Sequence, residues 1–269
     1  MGARFSKWTA AQSALATSDA AVSELTTKDD YWFAWDTVGR SFAGNTEIAG
    51  EPTTAWMLSA VEGFARGHEH FTPYVTFVTS IDRLPYVKSG GGFFATRDEN
   101  GKIAAVIHAV KIRASSKPKP QHSTFSMILQ SLTLGAAKRI PELVQSTDPA
   151  LKDLFKRIND TMETRGKLLD NVPNKLHAKH GPAPHHYYVT IMAVEPTQQG
   201  KGHCGRLMRA LHRIADMEGV PCWLDCGSDK NAAIYTKLGY KITEQVTIEA
   251  APGDAITVYS MLRECGAGK

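Results

Sequence analysis

Cysteine is scarce in this chain, and its placement is unpatterned. Cys204, Cys222, Cys226 and Cys265 show no CxxC spacing among 269 residues. That excludes a disulfide-stapled scaffold and favours a reducing compartment, so a cytoplasmic location is expected. Long apolar runs are missing too; none reaches the ~18 residues a membrane-spanning helix needs, and no transmembrane segment is expected. A formal charge of +4 is too small to argue for nucleic acid, and no nucleic-acid partner is expected. No internal repeat is found. His68, Glu69 and His70 mimic a pair of metal ligands, but no further ligands cluster with them. A solvated loop is the simpler reading, and no metal is expected.

What is present is ordinary globular composition, 42% hydrophobic and 22% charged. The length suits one large domain or two small ones. MGARFSK fits the N-myristoylation pattern through Gly2 and Ser6. One acyl chain would anchor the protein only weakly; a transit peptide is the second reading of this end. Residues 1–25 read as a mobile N-terminal arm or a lone surface helix with little to bury, followed by a single domain over 26–265.

Trp32, Phe33, Trp35, Val38 and Phe42 recur at roughly helical spacing and predict a helix over 29–42, capped by Thr27 or Asp29. A second helix is predicted over 53–65, and a β-rich stretch over 74–81. GGFFATR, DENGK and IAAVIHAVKI read as a hairpin over 90–112. Residues 124–170 read as a helical insert with Leu151, Leu154, Phe155, Ile158 and Met162 on one buried face. PNKLHAKHGPAPHH reads as a loop into the next strand. Between 111 and 180 there are 13 Lys and Arg against 6 Asp and Glu, about +7. A solvated face is the plainer account; a lobe that attracts an acidic partner or the cofactor phosphates is the sharper one. Lys241 to Leu262 reads as two strands turning at Pro252-Gly253-Asp254.

The rest of the chain is organised around residues 187–240. YYVTIMAVEP is an apolar strand; TQQGKGHCGRLMRALHRIADMEG is a glycine-rich loop opening an amphipathic helix; VPCWLDCG is a second strand; SDKNAAIYTKLGY is a short helix. A helix start leaves backbone N–H groups unpaired and carries partial positive charge. Gly200, Gly202 and Gly205 let those groups approach a phosphate closely, and Lys201 adds charge at the rim. The loop therefore points to a pyrophosphate-bearing cofactor.

GKGHCG also satisfies GxGxxG, with Asp225 about 20 residues on, the dinucleotide-binding fingerprint. Its context is wrong. Five residues, EPTQQ, separate Val194 from Gly200, and only 44 residues follow Asp225. A nicotinamide enzyme is thus a third-ranked reading.

AVEP, QQGKGHCG, PCWLD and NAAIYTKLGY together resemble the GCN5-related N-acetyltransferase (GNAT) superfamily, closely over 186–262 and loosely over 27–263. The resemblance implies an α/β (α+β) fold, with a mixed, mostly antiparallel sheet splayed at the cofactor strand and flanked by helices. It implies direct transfer of an acetyl group from acetyl-CoA to an amine of a small molecule or peptide. The cofactor-binding residues it implies are Met192, Ala193, Val194, Gln199, Gly200, Lys201, Gly202, His203, Cys204, Gly205, Asn231 and Tyr235. Cys204 stands where the family carries Gly or Ala; a thiol at a helix start is expected to be more acidic than usual. Tyr235 matches the general acid that protonates the coenzyme A thiolate. A backbone N–H near Ala193 or Val194 is the expected donor to the thioester oxygen. Candidates for the base are Glu195, His185, His186 and Tyr188. Asn231 and Tyr235 are four apart and share a helix face. A core tyrosine packed with Leu238 and Tyr240 is the plainer account of Tyr235. The alternative to an enzyme is a degenerate GNAT-fold protein that binds acetyl-CoA as a sensor or adaptor.

Overall fold

A computed structural model describes residues 8–88, 91–113, 136–182 and 185–267. Gly2 and its pattern, and residues 124–135 of the expected insert, lie outside the described residues.

One sheet carries the molecule. Its strands are β1 Val22–Leu25, β2 Gly92–Arg97, β3 Ile103–Arg113, β4 His185–Val194, β5 Cys222–Cys226, β6 Lys241–Ala251 and β7 Asp254–Arg263. They lie in the order β1-β2-β3-β4-β5-β7-β6. Every neighbouring pair is antiparallel except β4 and β5, which run parallel. This is the mixed, mostly antiparallel sheet that the sequence led us to expect. Both hairpins form where turn residues break the β-branched runs; Asp98 Oδ1 accepts from the N–H of Asn100 and of Lys102, each at 2.9 Å.

Helices cover both faces. On one lie α1 Ala10–Ala16, α7 His203–Glu218 and α8 Asp229–Thr236. The stripe predicted for α7, Leu207, Leu211, Ile214 and Ala215, is 0% exposed. Each such leucine or isoleucine contributes roughly 1.5–3 kcal/mol on burial. On the other face α2 Lys28–Ala43 packs Tyr31, Trp35 and Val38 against Phe93 and Val106 of the sheet. A reciprocal capping box starts α2: Asp30 N–H donates to Thr27 Oγ1, and Thr27 N–H donates to Asp30 Oδ2. Outside α2 stand α3 Pro52–Leu58, α4 Phe71–Lys88, α5 Glu142–Gln145 and the long α6 Pro149–His180. Leu154 and Ile158 of α6 are buried, with Leu151, Phe155 and Met162 packed beside them. The exposed side of α6 pairs Lys156 with Asp160, Arg157 with Asp153 and Lys167 with Glu163, which fits a solvated face.

Four sequence expectations are corrected. The stretch over 74–81 is not β but the middle of α4. Its β-branched residues favour strand only weakly, and Phe71, Tyr74, Val75 and Val78 recur at helical spacing toward one cluster. Gly39 of α2 lets α4 close in, since a Cβ there would sit 1.7 Å from Thr76 Oγ1. The helix expected over 53–65 stops at Leu58. The loop expected from Pro173 is the end of α6, which continues through that proline to His180. A mid-helix proline costs about 3 kcal/mol; burial of Leu169 and Leu176 around it offsets that cost. The expected N-terminal arm is, over Ala10–Leu25, a capped helix and an edge strand paired with β2. Trp8, 3% exposed, stacks on Phe94 at 5.3 Å.

Candidate active site at the parting of β4 and β5

β4 and β5 pair only from Tyr187↔Cys222 to Val189↔Leu224. There β4 takes an extra residue. Ala109 faces Val189 and His108 faces Ile191, so Thr190 is bulged. A bulge bends its strand and increases its twist, and beyond this one the two strands separate into a wedge. Glu195 N–H donates to Ala104 O of β3 at 2.8 Å. Strand alternation turns the Val194 N–H the opposite way, into the wedge, and the Ala193 N–H toward β3. Ser41 Oγ of α2 meets the Val194 N–H there at 3.2 Å. Met192 and Val194 pack on the α7 side, and Ala193 on the α2 side.

After Glu195 the chain makes one short 3-10 turn, Pro196–Gln198, then runs through Gln199 to Gly202. Gly200 and Gly202 hold φ of 81° and 83°, a left-handed backbone that other residues enter only at a cost. A Cβ on either would meet nothing within 4 Å, so the loop faces open space. Gly202 caps α7 without a side-chain hydrogen bond, and the N–H groups of the first turn point out of the helix unpaired. Gln199 is exposed, and Lys201 Nζ folds back on Gln198 Oε1 at 2.9 Å. His203 turns its ring to Thr96, Nδ1 to Oγ1 2.9 Å. Its pKa is lowered by burial and by Arg206 and Lys201. A Cβ on Gly205 would come within 3.1 Å of the Arg209 guanidinium, a flexible cation beside the same turn. An open loop, outward N–H groups and nearby cations form a cradle that fits a pyrophosphate.

The thiol expectation is reversed. Burial pushes Cys204 up to about 11 although Arg209 opposes it, because apolar packing outweighs the helix-end field. Cys226 is driven up to about 12, again chiefly by burial. Tyr235 lies between these thiols, 9% exposed. Its ring packs on Tyr240 at 6.0 Å, and its hydroxyl has no hydrogen-bond partner among the described residues. Burial, then Cys204, Cys226 and Glu51, raise its pKa well above 10. The ring therefore belongs to the core, as the plainer account has it, and Cys204 and Cys226 are neighbours of the side chain. Asn231, one turn earlier, is half-buried, and its N–H is capped by Ser228 Oγ at 3.2 Å.

The candidate bases separate. Both Glu195 oxygens are held by Arg40 Nε, at 2.8 and 3.0 Å. His186 is 3% exposed, accepts at Nε2 from His177 at 2.7 Å and donates from Nδ1 to Pro182 O. Burial lowers its pKa to about 4, so it serves as packing between α6 and β4. His185 is exposed, and Tyr188 donates to Asp225 at 3.1 Å. Sequence reasoning missed Glu51. It caps α3 by accepting from Thr53 and Thr54 N–H at 3.0 and 2.7 Å, and α3 leans on the end of β5 so closely that a Cβ on Gly227 would meet Thr53 Oγ1 at 2.5 Å. Its only sequence signal was an acid before Pro-Thr-Thr, which reads as a cap. Arg209 was missed as well, though its spacing of four from Gly205 places it on the same turn. Elsewhere, a cavity of about 370 Å³ lies between α2 and α4, lined by Trp32, Asp36, Arg40, Phe77 and Arg139, apart from the glycine loop.

Residues 167–240 match the family model described as Acetyltransferase (GNAT) family. An uncharacterized N-acetyltransferase of Schizosaccharomyces pombe is 26% identical over 80 residues, 30% of this chain and 32% of that protein. The match therefore spans about a third of that relative's length. Among solved structures, arylalkylamine N-acetyltransferase 2 from Aedes aegypti superposes with a TM-score of 0.51 at 14% identity, covering 91% of this chain and 99% of that one. An agmatine N-acetyltransferase gives 0.50 at 14% identity, with 91% and 99% covered. Family match and superposition agree on the GNAT acetyltransferase fold.

Proposed function

We propose that this GNAT-fold chain is an acetyl-CoA-dependent N-acetyltransferase acting on a primary amine of a small molecule or peptide. The observation that carries the reading is the wedge between β4 and β5, opening beside a glycine loop at a helix start, with the Tyr235 hydroxyl unpartnered among the described residues. Acetyl-CoA would supply an acyl carbon activated as a thioester: the amine nitrogen forms the new C–N bond, the C–S bond breaks with its electron pair to sulfur, and the proton that nitrogen loses is balanced by one gained at sulfur. The loop N–H groups of 200–205, with Lys201 and Arg209, would hold the pyrophosphate. Met192 and Val194 would line the acyl arm, and Asn231 would bond its amide. The Val194 N–H would donate to the thioester oxygen as negative charge gathers there.

An ordinary amine has a pKa near 10.4, so presenting it neutral at pH 7 costs roughly 4–5 kcal/mol. Glu195 was the sequence candidate for that task; its ion pair with Arg40 supports a role in fixing the loop instead. Glu51, beside Tyr235 and satisfied by N–H groups and a hydroxyl, is the better placed carboxylate to take the proton, directly or through water. Tyr235 would deliver a proton to the leaving thiolate. The amine class agrees with the names of the two superposed enzymes, one of arylalkylamines and one of agmatine.

Release of free coenzyme A is the test, measured from acetyl-CoA and longer acyl-CoAs against a panel of aryl, alkyl, guanidino and peptide amines. Turnover that falls with Tyr235→Phe supports the enzyme. The sensor reading is favoured by the Arg40 clamp on Glu195 and by Cys204 in the loop; coenzyme A binding without turnover on any amine would establish it. The sequence expectation of a myristoyl group on Gly2 is checked by intact mass after coexpression with a myristoyltransferase.

A further inference from the structure

We infer that the Ser41 hydroxyl is a second hydrogen-bond donor to the thioester oxygen, set beside the Val194 N–H, and thus a catalytic residue of the transfer. This rests on the acetyl-transfer reading above. Two consecutive residues of α2 grip two consecutive residues at the end of β4: Arg40 holds Glu195, and Ser41 Oγ accepts from Val194. α2 itself is fixed by Trp35 and Val38, both 0% exposed, and by the close approach of Thr76 to Gly39. Ser41 is therefore delivered to the wedge by a rigid element, as a catalytic group requires.

A hydroxyl carries one donor and two acceptor positions, and its proton rotates to suit its partners. Accepting from Val194 uses one lone pair. The Ser41 proton has no acceptor within hydrogen-bond distance among the described residues, so it is available to an oxygen entering the wedge. A carbonyl oxygen entering the wedge would share the Val194 proton with Ser41 Oγ, which accepts it at 3.2 Å, and would take the Ser41 proton as well, so it would face donors from two different elements. As the nitrogen attacks, the carbonyl electron pair moves onto that oxygen and both donors strengthen. When the C–S bond breaks, the pair returns and the donors relax. Neither donor gives up its proton, and the overall balance of the transfer is unchanged. The opposite role is also chemically coherent: a serine that merely occupied the Val194 N–H would withhold the donor, and removing it would speed the reaction.

Steady-state kinetics of Ser41→Ala, Ser41→Thr and Ser41→Cys on the best amine decide the matter, with coenzyme A affinity by calorimetry and thermal melts alongside. Loss of one oxyanion donor typically lowers kcat by about 100–1000-fold; with the backbone donor still in place about 10–100-fold is expected for Ser41→Ala. The KM for acetyl-CoA and the affinity for coenzyme A should stay within about twofold. Ser41→Thr keeps the hydroxyl and should restore most of the rate, while Ser41→Cys, a weak donor of similar size, should not. An unchanged or higher kcat in Ser41→Ala overturns the assignment. So does a threonine variant as slow as alanine with a normal melt. Should alanine fail to fold, the threonine–cysteine contrast carries the test alone. Wild-type protein that binds coenzyme A yet acetylates no amine overturns this assignment and the acetyl-transfer reading together; an active wild type with an indifferent Ser41 overturns the second donor only.

Discussion

Tyr235 sits where apolar burial keeps a phenol protonated, and this fixes how the reaction should respond to pH. Its pKa is raised well above 10, so the hydroxyl retains its proton through the neutral and mildly alkaline range. The rate should therefore climb with pH as the acceptor amine deprotonates, with no descending limb from Tyr235 below about pH 10. Tyr235→Phe should lower kcat by about 100-fold or more and leave the rising limb in place. A falling limb near pH 8–9 in the wild type that vanishes in the phenylalanine variant would show the phenol titrating early and contradict this. Of the residues proposed for the site, the glycines, Asn231 and Tyr235 could be picked out in the sequence because each occupies a fixed place in one continuous loop or helix. Ser41 and Glu51 were not. They come from elements some 140–190 residues away in sequence, and a lone helix serine or cap acid carries no local signal for what it will meet.

Elements with a strong hydrophobic period were legible for the same physical reason that they form. The stripe of α7 and the two hairpins could satisfy burial in one way only. α4 and the end of α6 were not, because local preference there opposes the outcome. Tyr74 to Ile81 is rich in β-branched residues, yet it coils because α2 offers a groove at Gly39. Pro173 normally ends a helix, yet α6 passes through it to bring His177 onto His186. That tension can be measured. Pro173→Ala should stabilise the protein by about 1–3 kcal/mol, seen as a higher urea midpoint at an unchanged slope. A lower midpoint would mean that the ring of Pro173 packs more favourably than its missing hydrogen bond costs.

Across the whole molecule, two buried histidines tie stability to acidity. Burial, then His177, lowers His186 to about 4; burial, then Arg263, lowers His212 to about 3. Both are neutral in the folded protein over a range where the unfolded chain, with histidines near 6.5, is protonated. The unfolded state thus binds more protons below pH 6.5, and stability should fall as pH drops from about 6.5 toward 4, by up to about 2.7 kcal/mol per unit from the pair. His186→Gln should roughly halve that slope in urea titrations; an unaltered slope would contradict the assignment. The N-terminal segment is equally integral. Trp8→Ala should cost about 3–5 kcal/mol, because it empties the space between Phe94 and Tyr187; a loss under 1 kcal/mol would return that segment to the status of an arm. The parallel seam between β4 and β5 has a mechanical consequence as well. Strands β1 to β4 form one antiparallel plate and β5 to β7 another, and among the described residues the strand ladder that joins them is three residue pairs long. The sheet behaves as two leaves on a short spine, so a load driven between the leaves is borne by that spine and by α7, which packs across it, while each leaf keeps its own shape.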